Sequence, residues 1–369
     1  MKTRLEFAGT QIEFSATLPQ PVQWIEEFFP GMTSSRPNET PAVGVHLVID
    51  SQRYAIESAR YADQPSAGCS LFTLDGSTHD QERIVNDTRF VVYDRHYDAI
   101  LTVSRDDSTI DLLVAKDGTS ARQLAMRCVR EVMTSAALSR GWIPFHGAAV
   151  SVDQRTILVT GRKMAGKTSL LLYLLSQLRA NYLTNDRAFG NVGEEGQCSL
   201  CGMPTLVSIR ESSLDLFHSL RSTFESSRYS RELTIDEAVQ RERSGEPPFS
   251  FPLLTPLQMA HLLDRPLEES SPLTTIAVPR VEAQCPHFDV SPIDTEEAVA
   301  ELIENGLLVS AFPIVPTDLM RACGFAYEVT KPQIKSRMVD FISTVNVADL
   351  HYGKPSFQSA MLAEAILGI

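Results

Sequence analysis

The sequence predicts an α/β protein in two parts: a β-rich N-terminal domain over residues 1–118 and an α/β domain over residues 119–369. Three observations carry that expectation. First, the apolar run Ile157-Leu158-Val159 enters a glycine-bounded loop, Gly161 to Thr168, and leaves it as a Leu-rich helical pattern. Second, apolar residues before position 118 alternate in short runs separated by turn residues, the period of half-buried strands. Third, strand and helix patterns succeed one another after position 118, the order in which α/β sheets are built.

Composition bounds the function. With 43% hydrophobic and 21% charged residues, the chain has the balance of a soluble globular protein. No run approaches the ~18 consecutive apolar residues of a membrane span, and the first residues, MKTRLEFAGTQIEF, contain no apolar signal core. Six scattered cysteines suit a reducing cytoplasm better than a disulfide framework. A net charge of −13 argues against a general nucleic-acid binder, which needs a basic surface to release counterions. Neither nucleic acid nor membrane is therefore an expected partner.

In chain order, near-alternation marks strands in LEFAGTQIEFSA (5–16), VGVHLVID (43–50), SQRYAIESARYA (51–62), RFVVYDRHYDAILTVSRD (89–106) and STIDLLVAK (108–116). Gln23 to Phe29 reads as a short amphipathic helix. Thr119 to Gly141 carries apolar residues at helical spacing, with Gly141 as the stop, and leads into the second domain. Residues 142–150 precede the strand that enters the loop, and Tyr182 to Thr184 forms a short strand ending on Asn185 and Asp186. A strand over 205–209 is followed by helix. Residues 222–250, rich in Ser, Arg and Glu, read as a long loop. Residues 271–280 form a buried strand, and 293–306 a helix with Asp294 as N-cap and Gly306 as stop. Further helices are expected over 316–329 and 355–368.

The chemistry concentrates at Gly161-Arg162-Lys163-Met164-Ala165-Gly166-Lys167-Thr168-Ser169, which satisfies G-x-x-x-x-G-K-[ST] between a strand and a helix. Two glycines let backbone N–H groups turn inward around phosphate oxygens, and the helix N-terminus adds its positive dipole end. Lys167 reaches the β- and γ-phosphates, and the Thr168 hydroxyl suits Mg²⁺. Asp186, eighteen residues after Thr168, ends a neighbouring strand, where α/β folds put a metal ligand or base. Cys198-Ser-Leu-Cys201, without a second pair, reads as ordinary thiols.

PheHisGlyAlaAlaVal (145–150), GRKMAGKTS (161–169) and LeuThrAsnAspArg (183–187) together resemble the catalytic core of the HPr kinase/phosphorylase family, whose P-loop fold is of the phosphoenolpyruvate carboxykinase type. The resemblance covers roughly residues 140–215, and more loosely the ValProArg strand and the 293–306 helix; it does not reach the N-terminal region. It implies an ATP- and Mg²⁺-dependent kinase acting on a hydroxyl. The acceptor would be a Ser or Thr of a peptide or small protein, or a small-molecule alcohol such as those modified in natural-product pathways. His146 matches the family's His-Gly histidine, near the transferred phosphoryl group. Asp186 matches the second carboxylate of the family pair, with Thr168 the other metal ligand. Arg210, in Val207-Ser208-Ile209-Arg210, and Arg280, in ValProArg, fall where arginines would balance charge on the transferring group. Asn185 stands where the family has its first carboxylate, which puts the reverse reaction in doubt and leaves room for a changed acceptor. An ATP-binding regulatory module without phosphotransfer is the alternative. The hexameric family precedent implies self-association.

Overall fold

The computed structural model describes residues 1–34, 42–62, 66–73, 81–84, 90–94, 97–104, 108–207, 209, 213, 216–217, 221–223, 254–282, 285, 287–309, 311–353, 357 and 360–368. It is a mixed α/β structure containing two eight-stranded sheets. The chain divides into two compact units, residues 1–141 with 311–330, and residues 142–310 with 331–369. Among the described residues no helix is long and apolar enough to cross a membrane.

The first unit opens with a hairpin, β1 (Lys2–Phe7) and β2 (Thr10–Ala16). Its turn residues Ala8 and Gly9 both have positive φ, as a two-residue hairpin with right-handed strand twist requires. Helix α1 (Pro19–Phe28) carries the chain over to β3 (Val43–Ile49), parallel to β2. Strands β4 (Ser66–Gly68), β5 (Gln81–Ile84), β6 (Phe90–Asp94), β7 (Ala99–Ser104) and β8 (Thr109–Val114) complete the order β1-β2-β3-β8-β7-β6-β5-β4.

Residues 51–62 are not a strand. They form helix α2 (Ser51–Tyr61), capped by Asp50, whose carboxylate accepts from the Arg53 amide at 2.9 Å. The alternation there does not follow burial: Tyr54 is buried, but Ile56 is 61% exposed. Gln, Arg, Ala and Glu, all good helix formers, decide the local conformation once the cap is in place.

The long helix α3 (Thr119–Ser139) packs on α1 and on β1, β2 and β3. Leu124, Cys128, Val129, Val132 and Ala136 are fully buried, so α3 belongs to the first unit and the division falls after Gly141, not at 118. Residues 311–330 return to this unit. There Asp318 accepts from both the backbone N–H and the hydroxyl of Ser70, and the Thr317 hydroxyl donates to Leu71 O. The helix expected over 316–329 shrinks to α7 (Asp318–Ala322), because Gly324 turns the chain at φ 90° and Val329 then pairs with Ile314.

In the second unit β9 (Ile143–Val152) runs antiparallel to β10 (Arg155–Thr160). Helix α4 (Lys167–Gln177) follows, then β11 (Asn181–Thr184), β12 (Arg187–Val192) and β13 (Cys198–Met203). After α5 (Pro256–Leu263) come β14 (Ser270–Val281), β15 (Asp289–Pro292), α6 (Thr295–Glu301) continued by one π-helical turn over Leu302–Gly306, α8 (Lys331–Ile342), β16 (Asn346–Tyr352) and α9 (Ala360–Leu367). Asp294 caps α6 through the amides of Glu296 and Glu297. Of the expected helix at 355–368 the described residues include α9, residues 355–356 and 358–359 lying outside them, and in the expected 205–209 strand Val207 bridges Leu254. The 222–250 loop, beyond its first two residues, lies outside the described residues.

Strand β10 is parallel to β14, and β14 to β16. Their carboxyl ends therefore point the same way, and the loop after β10 emerges among them. Helix α4 fixes that loop from the other side: Leu170 to Leu175 are all buried in one core with Ala148, Val150, Ile157, Val159, Ala277, Leu350 and Tyr352.

Candidate active site at the carboxyl ends of β10 and β11

Gly161 (φ 142°) and Gly166 (φ 91°) bound the loop, and both hold backbone conformations that side chains rarely adopt. Gly166 is also closely packed. A Cβ there would lie 2.4 Å from the Tyr352 hydroxyl and 2.5 Å from Val281 Cγ2. Tyr352, fully buried, donates its hydroxyl to Gly166 O at 3.3 Å, so β16 holds the loop from below. Arg162, Lys163 and Met164 are exposed, while Ala165 through Ser169 are half-buried. Lys167 Nζ donates to the loop's own carbonyls, Gly161 O at 2.8 Å and Arg162 O at 3.0 Å. The ammonium thus sits across the ring of loop backbone. Ser169 Oγ donates to Ser213 Oγ at 3.2 Å.

His146 and Asp186 meet because their strands are paired. Arg187 on β12 is opposite His146 on β9, and the Gly147 amide donates to Asp186 O at 2.9 Å. That amide belongs to a residue with no space for a side chain, since a Cβ on Gly147 would lie 2.7 Å from Val159 O. The His-Gly pair is thereby explained: glycine lets β9 lie tightly on β10, and the histidine beside it faces Asp186. His146 Nε2 is 3.7 Å from Asp186 Oδ1, and Arg187 Nε is 3.5 Å from Oδ2. A register shift between Tyr182 and Thr184 marks a bulge in β11 just before the carboxylate, a common device for re-aiming a side chain.

The electrostatics tie these groups to the loop. Burial pushes His146 below its ordinary value; Asp186 opposes this, while Lys167, Arg187 and Lys163 reinforce it. Burial likewise lowers Lys167, against the pull of Asp186. His146, Lys167 and Asp186 are thus near enough to feel one another. At neutral pH the imidazole is neutral.

Asn185 points elsewhere. Its Oδ1 accepts from the Tyr182 hydroxyl at 2.8 Å and the Thr205 hydroxyl at 3.1 Å, and its Nδ2 donates to Leu206 O at 3.5 Å.

Arg280 stands at the end of β14, but its charge is already engaged. Nε lies 2.7 Å from both Asp349 oxygens, Nη2 is 4.0 Å from Glu301, and the Asp349 hydrogen bond is the main reason its pKa is raised. Asp349 also lies 3.4 Å from His351 Nε2. Arg210 lies outside the described residues. Cys198 and Cys201 are free thiols, and Cys198 donates to Phe341 O.

Among the described residues no three His, Cys, Asp or Glu side chains converge to hold a metal. Mg²⁺ needs only one or two protein oxygens when phosphates and waters supply the rest, and a threonine hydroxyl with one carboxylate is a donor set of that kind. Thr160, fully buried between β10 and the loop, adds rigidity by hydrogen bonding to His146 O at 2.9 Å and Gly306 O at 3.2 Å. Thr160, Tyr182, Thr205, Asp349 and Tyr352 carry no motif, and only the fold brings them to the site. No protein-family model and no curated protein sequence matches the chain.

Proposed function

We propose that the chain is an ATP-dependent kinase of the HPr kinase-like type, with a P-loop catalytic fold, that transfers the γ-phosphate to a hydroxyl. The observation that carries the reading is the convergence of His146, Lys167 and Asp186 at the loop Gly161–Thr168. In this reading the loop amides and Lys167 bind the β- and γ-phosphates, Lys167 exchanging its two loop carbonyls for phosphate oxygens. Thr168 and Asp186 would hold Mg²⁺, which when bound supplies charge neutralisation between the phosphates. Neutral His146, beside Asp186, accepts the proton that leaves the acceptor hydroxyl as the new O–P bond forms, the bond to the leaving ADP oxygen breaks, and ADP departs. With Asp349 already against its guanidinium, Arg280 orders the strand ends rather than meeting the phosphoryl group directly. The acceptor is a Ser or Thr of a peptide or small protein, or a small-molecule alcohol.

The amide at 185 favours one other reading, a nucleotide-binding regulatory module that transfers no phosphate. Labelled ATP with Mg²⁺ separates the two, using wild type, Lys167→Ala and Asp186→Asn. Loss of the Lys167 ammonium, a charge-assisted donor, should weaken ATP binding about 10- to 100-fold. Asp186→Asn should still bind metal-free ATP but lose the gain that Mg²⁺ brings, and lose transfer by roughly 10²- to 10³-fold. The kinase reading fails if wild type binds ATP but never labels an acceptor in lysate of the native host.

A further inference from the structure

We propose that Asn185 is a positioning residue for Asp186: a neutral hydrogen-bond cage around its amide sets where the neighbouring carboxylate stands. The proposal rests on the kinase reading above. The amide's orientation is dictated by its surroundings. Leu206 O can only accept, so Nδ2 must face it, and Oδ1 is left for the two hydroxyls, which are free to donate. Both hydroxyl residues are buried, Tyr182 at 1% exposure and Thr205 at 4%. The cage therefore has little freedom.

The backbone on either side is fixed as well. Thr184 Oγ1 donates to Arg187 O at 2.8 Å, closing the four-residue turn that contains Asn185 and Asp186. The Gly147 amide holds Asp186 O at 2.9 Å. Gly202 lets the neighbouring strand close in, because a Cβ there would lie 2.4 Å from Leu183 O. With the carbonyls of Asp186 and Arg187 held, the 185 side chain ties this turn to the 205–206 segment. An aspartate at 185 would set a carboxylate oxygen against the Leu206 carbonyl, acceptor facing acceptor. Asparagine is the residue that closes the cage, and the site then works with Asp186 as the carboxylate beside His146 and Lys167.

The test measures ATP affinity of the full chain with and without Mg²⁺ by calorimetry, and Mn²⁺ binding in the presence of ATP by electron paramagnetic resonance. Wild type should bind ATP more tightly with Mg²⁺, and Asp186→Asn should lose that gain. Asn185→Ala should keep metal-free ATP affinity but lose about 5- to 30-fold of the metal-dependent gain, the worth of one or two buried hydrogen bonds. Asn185→Asp should lose a comparable factor. Tyr182→Phe keeps the ring and removes one donor, so it should show a smaller loss of the same kind, and it carries the test if Asn185→Ala does not fold. An unchanged Mn²⁺ affinity and metal-dependent gain in Asn185→Ala, or in Tyr182→Phe where Asn185→Ala is unfolded, overturns the proposal. Absence of ATP binding by wild type would instead remove the kinase reading itself.

Discussion

At the scale of single residues, the loop is set by contacts that exclude a side chain. Alanine at Gly166 would meet the Tyr352 hydroxyl and Val281 while holding a φ of 91°. Gly166→Ala should cost about 1–3 kcal/mol in urea unfolding, from overpacking and backbone strain together. Tyr352→Phe removes the closest of those contacts. In the double mutant it should recover part of the loss, leaving the Val281 contact and the strain; a strictly additive cycle would show that the hydroxyl is not the obstacle. Cysteine chemistry gives a second prediction. Burial, with Glu269 nearby, pushes Cys201 up to about 11, and burial pushes Cys323 up to about 12. Cys69, Cys128 and Cys198 are buried, and Cys285 is half-exposed. Brief alkylation of the native protein at pH 7.5, read by peptide mass spectrometry, should label Cys285 first and leave Cys198 and Cys201 protected, as ordinary structural thiols would be. Parallel rapid labelling of Cys198, which is buried, or of Cys201, half-exposed but with its thiol pushed up, would contradict that order.

At the scale of elements, the sequence was legible where one local signal dominates. The glycine spacing, the Leu run of α4 and the Asp294 cap each name an element without help from the rest of the chain. Alternation failed at 51–61 because period-two hydrophobicity arises by chance in a short helix with one buried residue, Tyr54. The cap decides that case. Asp50→Ala should destabilise the protein by about 1 kcal/mol in urea unfolding, the usual worth of an N-cap carboxylate; a strand at 51–61 would show no such loss. The candidate site was legible to the same degree. His146, Lys167 and Asp186 follow from motif spacing, whereas the groups that hold them do not. Tyr352 is 186 positions from Gly166 and Thr205 is 20 from Asn185. Contacts made by pairing distant strands leave no periodic trace in one sequence. Arg280 illustrates the converse. Its position at a strand end was readable, but the carboxylate that occupies it, Asp349, comes from the adjacent strand.

At the scale of the whole molecule, the division at 141 is a consequence of burial along α3. A boundary at 118 would strip the sheet of the helix that covers β1, β2 and β3, exposing Leu124, Cys128, Val129, Val132 and Ala136. The first unit is also discontinuous, which sequence order hides. Glu131, 4% exposed, accepts from the Thr73 amide, the Thr73 hydroxyl and, at 3.4 Å, the Thr317 hydroxyl. Ser135 meets the Tyr327 hydroxyl at 3.3 Å, and Ser70 is bonded by Asp318. A fragment of residues 1–141 keeps the Thr73–Glu131 pair but loses the hydrogen bonds that Ser70, Leu71 O, Glu131 and Ser135 make to the returning segment, and it uncovers the apolar surface beneath Leu319 and Met320, both fully buried. Each hydrogen bond exchanged for water is worth about 0.5–1.5 kcal/mol. Joining residues 311–330 to the end of that fragment through a flexible linker restores them. The joined fragment should unfold at a clearly higher urea concentration than residues 1–141 alone, measured by circular dichroism, and Asp318→Ala within it should return part of the difference. Equal midpoints for the two fragments would mean that the returning segment adds nothing to the first unit, and that its hydrogen bonds to Ser70 and Glu131 are not formed in solution.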